Sequence, residues 1–207
     1  MAERVHWELA CERIVALVEA RRLALGVSAP PDAGGGTVVV VGITGRVGAG
    51  KSTLARRLTS CVVSTDNYLP DYEAVPYHER DLPRHADFQG LARDLAALRR
   101  GEAIRAPVWS FQTHRREGFV EVASAAVVAC EGIHALHGPA AGLLDVKVFV
   151  EAGAGVRWSR WEMLERTGQR GWGVEKARKF FVEVAEPTFA AAEVEYRAVA
   201  DLIVVNG

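Results

Sequence analysis

The 207-residue sequence has only three cysteines, four lysines and two asparagines, and it lacks an apolar run long enough to span a bilayer. Cys11, Cys61 and Cys130 are odd in number, far apart and set among apolar neighbours, which argues against a disulfide framework or zinc site and fits reduced core thiols. A cytoplasmic location is expected. The first turns carry Glu3, Arg4, Glu8, Glu12 and Arg13, so the start lacks the apolar stretch of a signal peptide. No charge sign dominates, since 25 basic and 26 acidic side chains leave a net charge of −1. Neither nucleic acid nor a membrane surface is therefore an expected partner, and any anion site has to be local. With lysine confined to Lys51, Lys147, Lys176 and Lys179, the basic set is mostly arginine, whose planar fork grips phosphate oxygens bidentately.

From Val5 to Leu25, apolar Val5, Leu9, Ile14, Leu17 and Val18 recur among charges at roughly helical spacing, predicting an amphipathic packing helix. Ser28 to Gly36, with Pro30, Pro31 and three consecutive glycines, reads as a linker. Residues 1–36 are thus expected to be a helix and linker appended to a domain over 37–207. Thr37 to Ile43 is a short β-branched run, apolar on both faces, as in a strand buried within a parallel sheet. Similar runs recur at Cys61 to Thr65, Ala125 to Cys130, Val146 to Glu151 and Leu202 to Val205. Helical patterning lies between them at Leu91 to Arg99 and Val156 to Arg166. The alternation predicts an α/β fold with a mostly parallel sheet of about five strands and flanking helices. Asn67 to Asp87, polar and proline-punctuated, reads as a loop region over a site.

Directly after the first strand stands Gly45-Arg46-Val47-Gly48-Ala49-Gly50-Lys51-Ser52, followed by the helical Thr53-Leu54-Ala55-Arg56-Arg57-Leu58. It fits G-x-x-x-x-G-K-[ST] in the strand–loop–helix context that a phosphate-binding loop requires. Glycines let the backbone curl its N–H groups inward, the helix N-terminus adds partial positive charge, Lys51 reaches the β and γ phosphates and Ser52 offers a hydroxyl to Mg²⁺. The competing reading is a glycine-rich turn with a solvated lysine. Against it stands Glu131, immediately after the strand at Ala125 to Cys130, where an acid would meet the metal. A guanine-specific Asn-Lys-x-Asp motif is excluded, because Asn67 and Asn206 are followed by Tyr68 and Gly207. An alcohol acceptor needs a carboxylate to take its proton, and Asp66, after the second strand, is placed for that; its bland alternative is a turn or helix cap.

In the order of its motifs, the chain resembles the uridine kinase and phosphoribulokinase superfamily of P-loop kinases from about Val38 to Val205. Thr65-Asp66-Asn67-Tyr68 resembles the family segment whose aspartate is the proposed base. Asp81-Leu82-Pro83 is similar to its Asp-x-Pro element, whose acid holds ribose hydroxyls. Pro107-Val108-Trp109-Ser110-Phe111-Gln112-Thr113-His114-Arg115-Arg116 resembles the Pro-Val-Tyr-x-Phe-x-x-His-x-Arg segment of the base pocket, with Trp109 in place of the tyrosine. Val128-Ala129-Cys130-Glu131-Gly132-Ile133-His134-Ala135-Leu136 resembles Val-Glu-Gly-Ile-x-Ala-Leu, and Arg157 and Arg160 look like the start of an arginine-bearing lid over 157–172. Glu186-Pro187-Thr188 and Tyr196 to Asp201 are similar to the closing stretch.

The resemblance implies an ATP- and Mg²⁺-dependent kinase acting on a hydroxyl of a nucleoside, uridine or cytidine in type. ATP would meet Gly45 to Thr53 and the lid arginines Arg157, Arg160, Arg166 and Arg170. Mg²⁺ would sit on Ser52, Glu131 and Asp66. Asp66 and Lys51 would be catalytic, and Tyr68, Asp81, Trp109, Phe111, His114 and Arg116 would orient the acceptor. The lid departs from the family at Trp161 to Trp172, which leaves open which of Arg166 and Arg170 covers the triphosphate. Other acceptors stay open too: nicotinamide riboside, a pantothenate-like alcohol or a sugar phosphate, as does a non-catalytic nucleotide-binding regulator. The resembling proteins form dimers or tetramers, so a homo-oligomer is compatible with the chain. Glu131, His134 and His137 recur every three residues, yet a polar wall accounts for the histidines better than a metal site. Trp158, Trp161 and Trp172 serve either to stack on a base or to pack the lid.

Overall fold

The structure, a computed structural model, describes residues 2–25 and 37–207. The linker expected at Ser28 to Gly36 lies outside the described residues. Six strands form one all-parallel sheet in the order β1-β8-β7-β2-β6-β3. They are β1 (Glu3–His6), β2 (Val39–Thr44), β3 (Val62–Ser64), β6 (Val127–Glu131), β7 (Val146–Glu151) and β8 (Leu202–Val205). Five of these fall where the short β-branched runs predicted them. The sixth is a correction. Glu3–His6 pairs with β8 from Glu3↔Leu202 to His6↔Val205, so the N-terminal helix starts later, as α1 (Ala10–Ala24). Only Val5 of this edge strand is buried, and one apolar residue is too little to announce a strand in sequence.

A buried parallel strand needs cover on both faces, and β2 is buried at every position. Val39, Val41 and Ile43 face α1 and α2 (Lys51–Leu58), meeting Ile14, Val18 and Leu54. Val40 faces the other layer, where Leu91, Leu95 and Leu98 of α3 (Phe88–Arg99) pack with Phe189 and Tyr196 of α6 (Glu186–Val199). A second unit stands apart from the sheet: the antiparallel hairpin of β4 (Ile104–Ser110) and β5 (Arg115–Val122), with an irregularity between Val108 and Trp109. Its tip meets the segment expected as a lid over 157–172, termed the lid together with the helices that carry it on: α4 (Ala154–Arg166), α5 (Val174–Phe180) and a wide π-turn at Phe181–Ala185 that ends just before Pro187. Trp109, Trp161, Phe180 and Phe181 join hairpin and lid in a third apolar cluster. No helix among the described residues is long and apolar enough to cross a membrane.

Because Ile14 is fully buried between α1 and the sheet, Ile14→Ala should cost about 2–5 kcal/mol, the usual range for truncating a core aliphatic to alanine. A urea titration reads this directly, and an unchanged midpoint would mean that α1 is not part of the folded core.

Candidate active site

Register builds the site. Ile43 of β2 pairs with Glu131 of β6, and Glu131 pairs with Ser64 of β3. The next residues therefore leave the sheet at one carboxyl edge: Gly45 to Gly50 from β2, Asp66 in a tight turn capped by Ser64 from β3, and Gly132 from β6. The edge is the expected ligand side of a parallel α/β sheet. In the loop, Gly48 has φ 77° and a Cβ there would stand 2.5 Å from the Arg157 carbonyl oxygen, so only glycine allows the turn to close against α4.

Lys51 is buried at the start of α2, and its Nζ donates to the Arg46 carbonyl at 3.2 Å. Burial lowers its pKa, while Glu131 and Asp66 act in the opposite direction. Glu131 is 5% exposed. Burial and the nearby Asp66 raise its pKa, and Lys51 with the Ser64 and Ser52 hydroxyls holds it down. Asp66 is raised by burial as well, against the pull of Lys51 and Arg170. Two carboxylates and a serine hydroxyl thus converge beside one ammonium. Oxygen donors of this kind fit Mg²⁺, which takes one or two carboxylates and completes its shell with water and phosphate.

Beyond Asp66 opens a cavity of about 420 Å³, its mouth included, lined by Asp66, Asp81, His114 and Arg170 within a wall of aromatic rings. The Tyr72 hydroxyl donates to Asp81 at 2.6 Å. Burial still pushes the Asp81 carboxyl up to about 6, with Tyr72 working against it. His114 sits in the turn between β4 and β5 at φ 57°, in the left-handed region, so the hairpin tip holds it in an uncommon conformation. Its ring stacks on Trp172 at 4.1 Å and 7°. Desolvation, then Lys176, Arg170 and Arg80, lower its pKa to about 4. Arg170 lies between Phe111 and Trp161, 4.2 and 4.8 Å from the ring centroids.

The expected residues divide into distinct groups. Lys51, Ser52, Asp66 and Glu131 come together at the loop. Asp81, Trp109, Phe111, His114 and Arg170 line or border the cavity, where Val47 also reaches. Thr53 is exposed on the first turn of α2. Tyr68 lies elsewhere, with its hydroxyl on Asp94 at 2.5 Å, and Arg116 reaches the Leu69 carbonyl at 3.3 Å. Both border a neighbouring open cleft. Of the lid arginines, Arg166 is exposed and paired with Glu162. Arg157 is 3% exposed and bound to Glu186 and to the Ala152 and Val47 carbonyls, while Arg160 donates to Gly48 O at 3.1 Å. Arg46 of the loop itself turns to Glu186 and Glu193. Arg170 is therefore the lid arginine that the structure brings beside Asp66.

Sequence reasoning missed Tyr72, Phe180 and Glu165. Glu165 is 6% exposed and organises the lid: its carboxylate accepts from Trp161 Nε1 at 3.0 Å and from the backbone N–H groups of Trp172 and Gly173 at 3.1 and 2.9 Å. No motif marked it; one of two acids in a helix that also carries Trp158 and Trp161, it has no distinguishing sequence signal. Trp158 packs on Phe181 rather than facing the cavity. His134 is buried, with Nε2 at 2.9 Å from the Asp81 carbonyl and Nδ1 at 2.9 Å from the Tyr196 hydroxyl. A carbonyl only accepts, so Nε2 carries the proton and Nδ1 accepts from the tyrosine. That assignment makes His134 a brace for Asp81.

The family model for "Phosphoribulokinase / Uridine kinase family" matches residues 71–205. A uridine kinase of Clostridium botulinum strain Okra is 30% identical, covering 82% of this chain and 88% of the relative. One of Deinococcus deserti is 31% identical, covering 81% and 87%. Among solved structures, a D-glycerate 3-kinase of Cryptococcus neoformans superposes with a TM-score of 0.57 at 14% identity, covering 86% of this chain and 89% of that one. At that identity the likeness speaks for the fold alone.

Desolvation lowers the His134 pKa to about 4. Below about 6.5 the unfolded chain takes up a proton that the folded one refuses, so stability should fall as pH drops from about 6.5 to about 4. His114 acts in the same direction. Asp81, raised to about 6, acts oppositely, since its contribution is lost as pH rises through that value. Urea midpoints at pH 7 and 4.5 should therefore differ less in His134→Gln than in the parent; an equal difference would place the titration elsewhere.

Proposed function

The chain belongs to the phosphoribulokinase/uridine kinase family, and from that premise we propose that it transfers the γ-phosphoryl group of ATP to a hydroxyl of a nucleoside, uridine or cytidine in type. The observation that carries this reading is the convergence of Lys51, Asp66 and Glu131 at one sheet edge, next to an aromatic cavity that holds Asp81 and Arg170. The loop amides and Lys51 bind the phosphates. Ser52 and Glu131, with Asp66, would hold Mg²⁺, which supplies charge neutralisation between the β and γ oxygens. Asp66 accepts the proton of the attacking hydroxyl, and its upward-shifted pKa brings it nearer to the working range of a general base. Asp81 binds acceptor hydroxyls, held by Tyr72 on one side and by His134 through its backbone on the other. Arg170, flanked by two rings, meets the charge that develops on the transferring group. The lid excludes water and so limits hydrolysis of ATP.

A second reading takes a smaller alcohol as acceptor. It is favoured by the face-to-face stack of Trp172 on His114, which fills the slot that a base would enter. Incubation with Mg·ATP and a panel of nucleosides, vitamin-like alcohols and sugar phosphates, with the product identified by mass, separates the two. A nucleoside monophosphate is the expected product. Phosphorylation of only a non-nucleoside alcohol would replace the acceptor and keep the mechanism. ATP binding with no product from any acceptor would favour a regulator.

Asp66→Asn should leave ATP affinity nearly unchanged and lower kcat about 100-fold or more, the common scale for a lost general base. Unchanged turnover would remove Asp66 from the chemistry. Lys51→Ala should instead weaken both nucleotide affinity and turnover, and full activity in that variant would contradict the assignment of the loop.

A further inference from the structure

The sheet is asymmetric about the phosphate loop, and the asymmetry gives the nucleotide a direction. In the strand order, β6 and β3 lie on one side of β2, and their ends lead to Glu131, Asp66 and the acceptor cavity. On the other side lie β7, β8 and β1. Phosphoryl transfer places attacking and leaving oxygens roughly in line on opposite sides of phosphorus. With the acceptor on the β3 side, the rest of the nucleotide has to extend towards the ends of β7, β8 and β1.

The residues emerging there are Asn206, directly after β8, and Trp7, directly after β1. Trp7 is half-buried, and its ring edge reaches the last glycine of the loop. A Cβ built on Gly50 would lie 3.4 Å from Trp7 Cη2, 3.5 Å from its Cζ3 and 2.4 Å from Asn206 Nδ2. Asn206 Nδ2 donates to the Ala49 carbonyl at 2.7 Å. From α4, Arg160 binds the Gly48 carbonyl at 3.1 Å and Asn206 Oδ1 at 3.2 Å. Arg57 of α2 lies 5.3 Å from the Trp7 ring centroid and steadies the indole plane. An indole, a planar guanidinium and an amide thus gather beside the loop, on the side away from the acceptor. Planar π-faces are the chemistry that receives a base by stacking, while the Asn206 amide, engaged with Ala49 and Arg160, holds the loop beside the indole.

We infer that Trp7 forms a stacking wall for the base of the nucleoside triphosphate, so that the edge strand β1 contributes directly to the nucleotide site. The inference rests on the phosphate-loop reading above. It gives the N-terminal segment, which lies outside the matched span 71–205, a part in binding. Without β1 the indole would have no fixed place, since the pairing of His6 with Val205 sets Trp7 beside Asn206.

Calorimetric titration of Mg·ATP and of Mg·tripolyphosphate into the full chain tests this, because tripolyphosphate has the phosphates without the base. Trp7→Ala and Trp7→Leu should each weaken ATP on the order of tenfold and leave tripolyphosphate within about twofold; a stacked aromatic contributes about that much per base. Trp7→Phe should restore most of the loss, because it keeps a π-face. Trp7→Leu retains apolar bulk in case the alanine variant fails to fold. Equal weakening of both ligands, or no effect on either, would overturn the inference and leave only a packing role through Gly50. A parent protein that binds neither ligand would overturn the nucleotide reading itself.

Discussion

The register of three strands is the constraint on which the site depends. Ile43, Glu131 and Ser64 lie side by side across β2, β6 and β3. A one-residue slip of any of them would turn its side chains to the opposite face and move the loop, Asp66 or Glu131 away from the others. The register is secured by burial, not by the site's own chemistry. β2 is apolar on both faces, so the difference lies in size: a Cβ at Gly42 would collide with Leu144 and stand 3.0 Å from Leu136 Cδ2, so a slip that brings a valine there does not fit. The core therefore fixes the positions of charges that would otherwise be costly to gather.

Those charges are offset only in part. Asp66, Glu131 and Asp81 are each pushed up by burial, while Lys51 acts against this on Asp66 and Glu131 and Arg170 on Asp66 and Asp81. Removing water strengthens every one of these interactions while making an unmatched charge expensive. The excess of carboxylate near Lys51 is what a cation would relieve, and the lowered pKa of Lys51 shows that burial outweighs the attraction of its acids. The remaining arginines keep the frame in shape. Arg46, Arg157 and Arg160 bind α6 carboxylates and loop carbonyls, so these three tie loop, lid and α6 together.

How much of this was legible in the sequence depended on whether the signal was local. Short β-branched runs and the glycine loop sit in contiguous stretches, and five strands with Lys51, Ser52, Asp66 and Glu131 could be placed from them. Glu3–His6 was not legible, since three of its four residues are exposed and its only partner, β8, is some 200 positions away. Which lid arginine turns inward was hidden for a similar reason. Spacing along 157–172 could not say which arginine turns inward, because the decision is made by distant contacts. Phe111 and Trp161 flank Arg170, the Gly171 amide donates to the Phe111 carbonyl at 3.1 Å, and Glu165 ties Trp161 to the Trp172 amide. Arg166, four residues earlier, finds Glu162 one turn away and stays at the surface.

The hairpin and lid also explain how one cavity can be both aromatic and acidic. Asp81 belongs to the loop region between β3 and α3, and His134 holds its backbone through a proton on Nε2. Tyr72 comes from the same region, and the other rings from elsewhere: Trp109, Phe111 and His114 from the hairpin, Trp161, Trp172 and Phe180 from the lid. Asp81 is thus anchored to the sheet, through His134 after β6 and Tyr196 on α6. The hairpin is itself tied to that frame, since Ile104 and Ala106 of β4 enter the main core and the Trp109 amide and indole donate to Asn67 and to the Pro70 carbonyl, so the aromatic wall and Asp66 share one support.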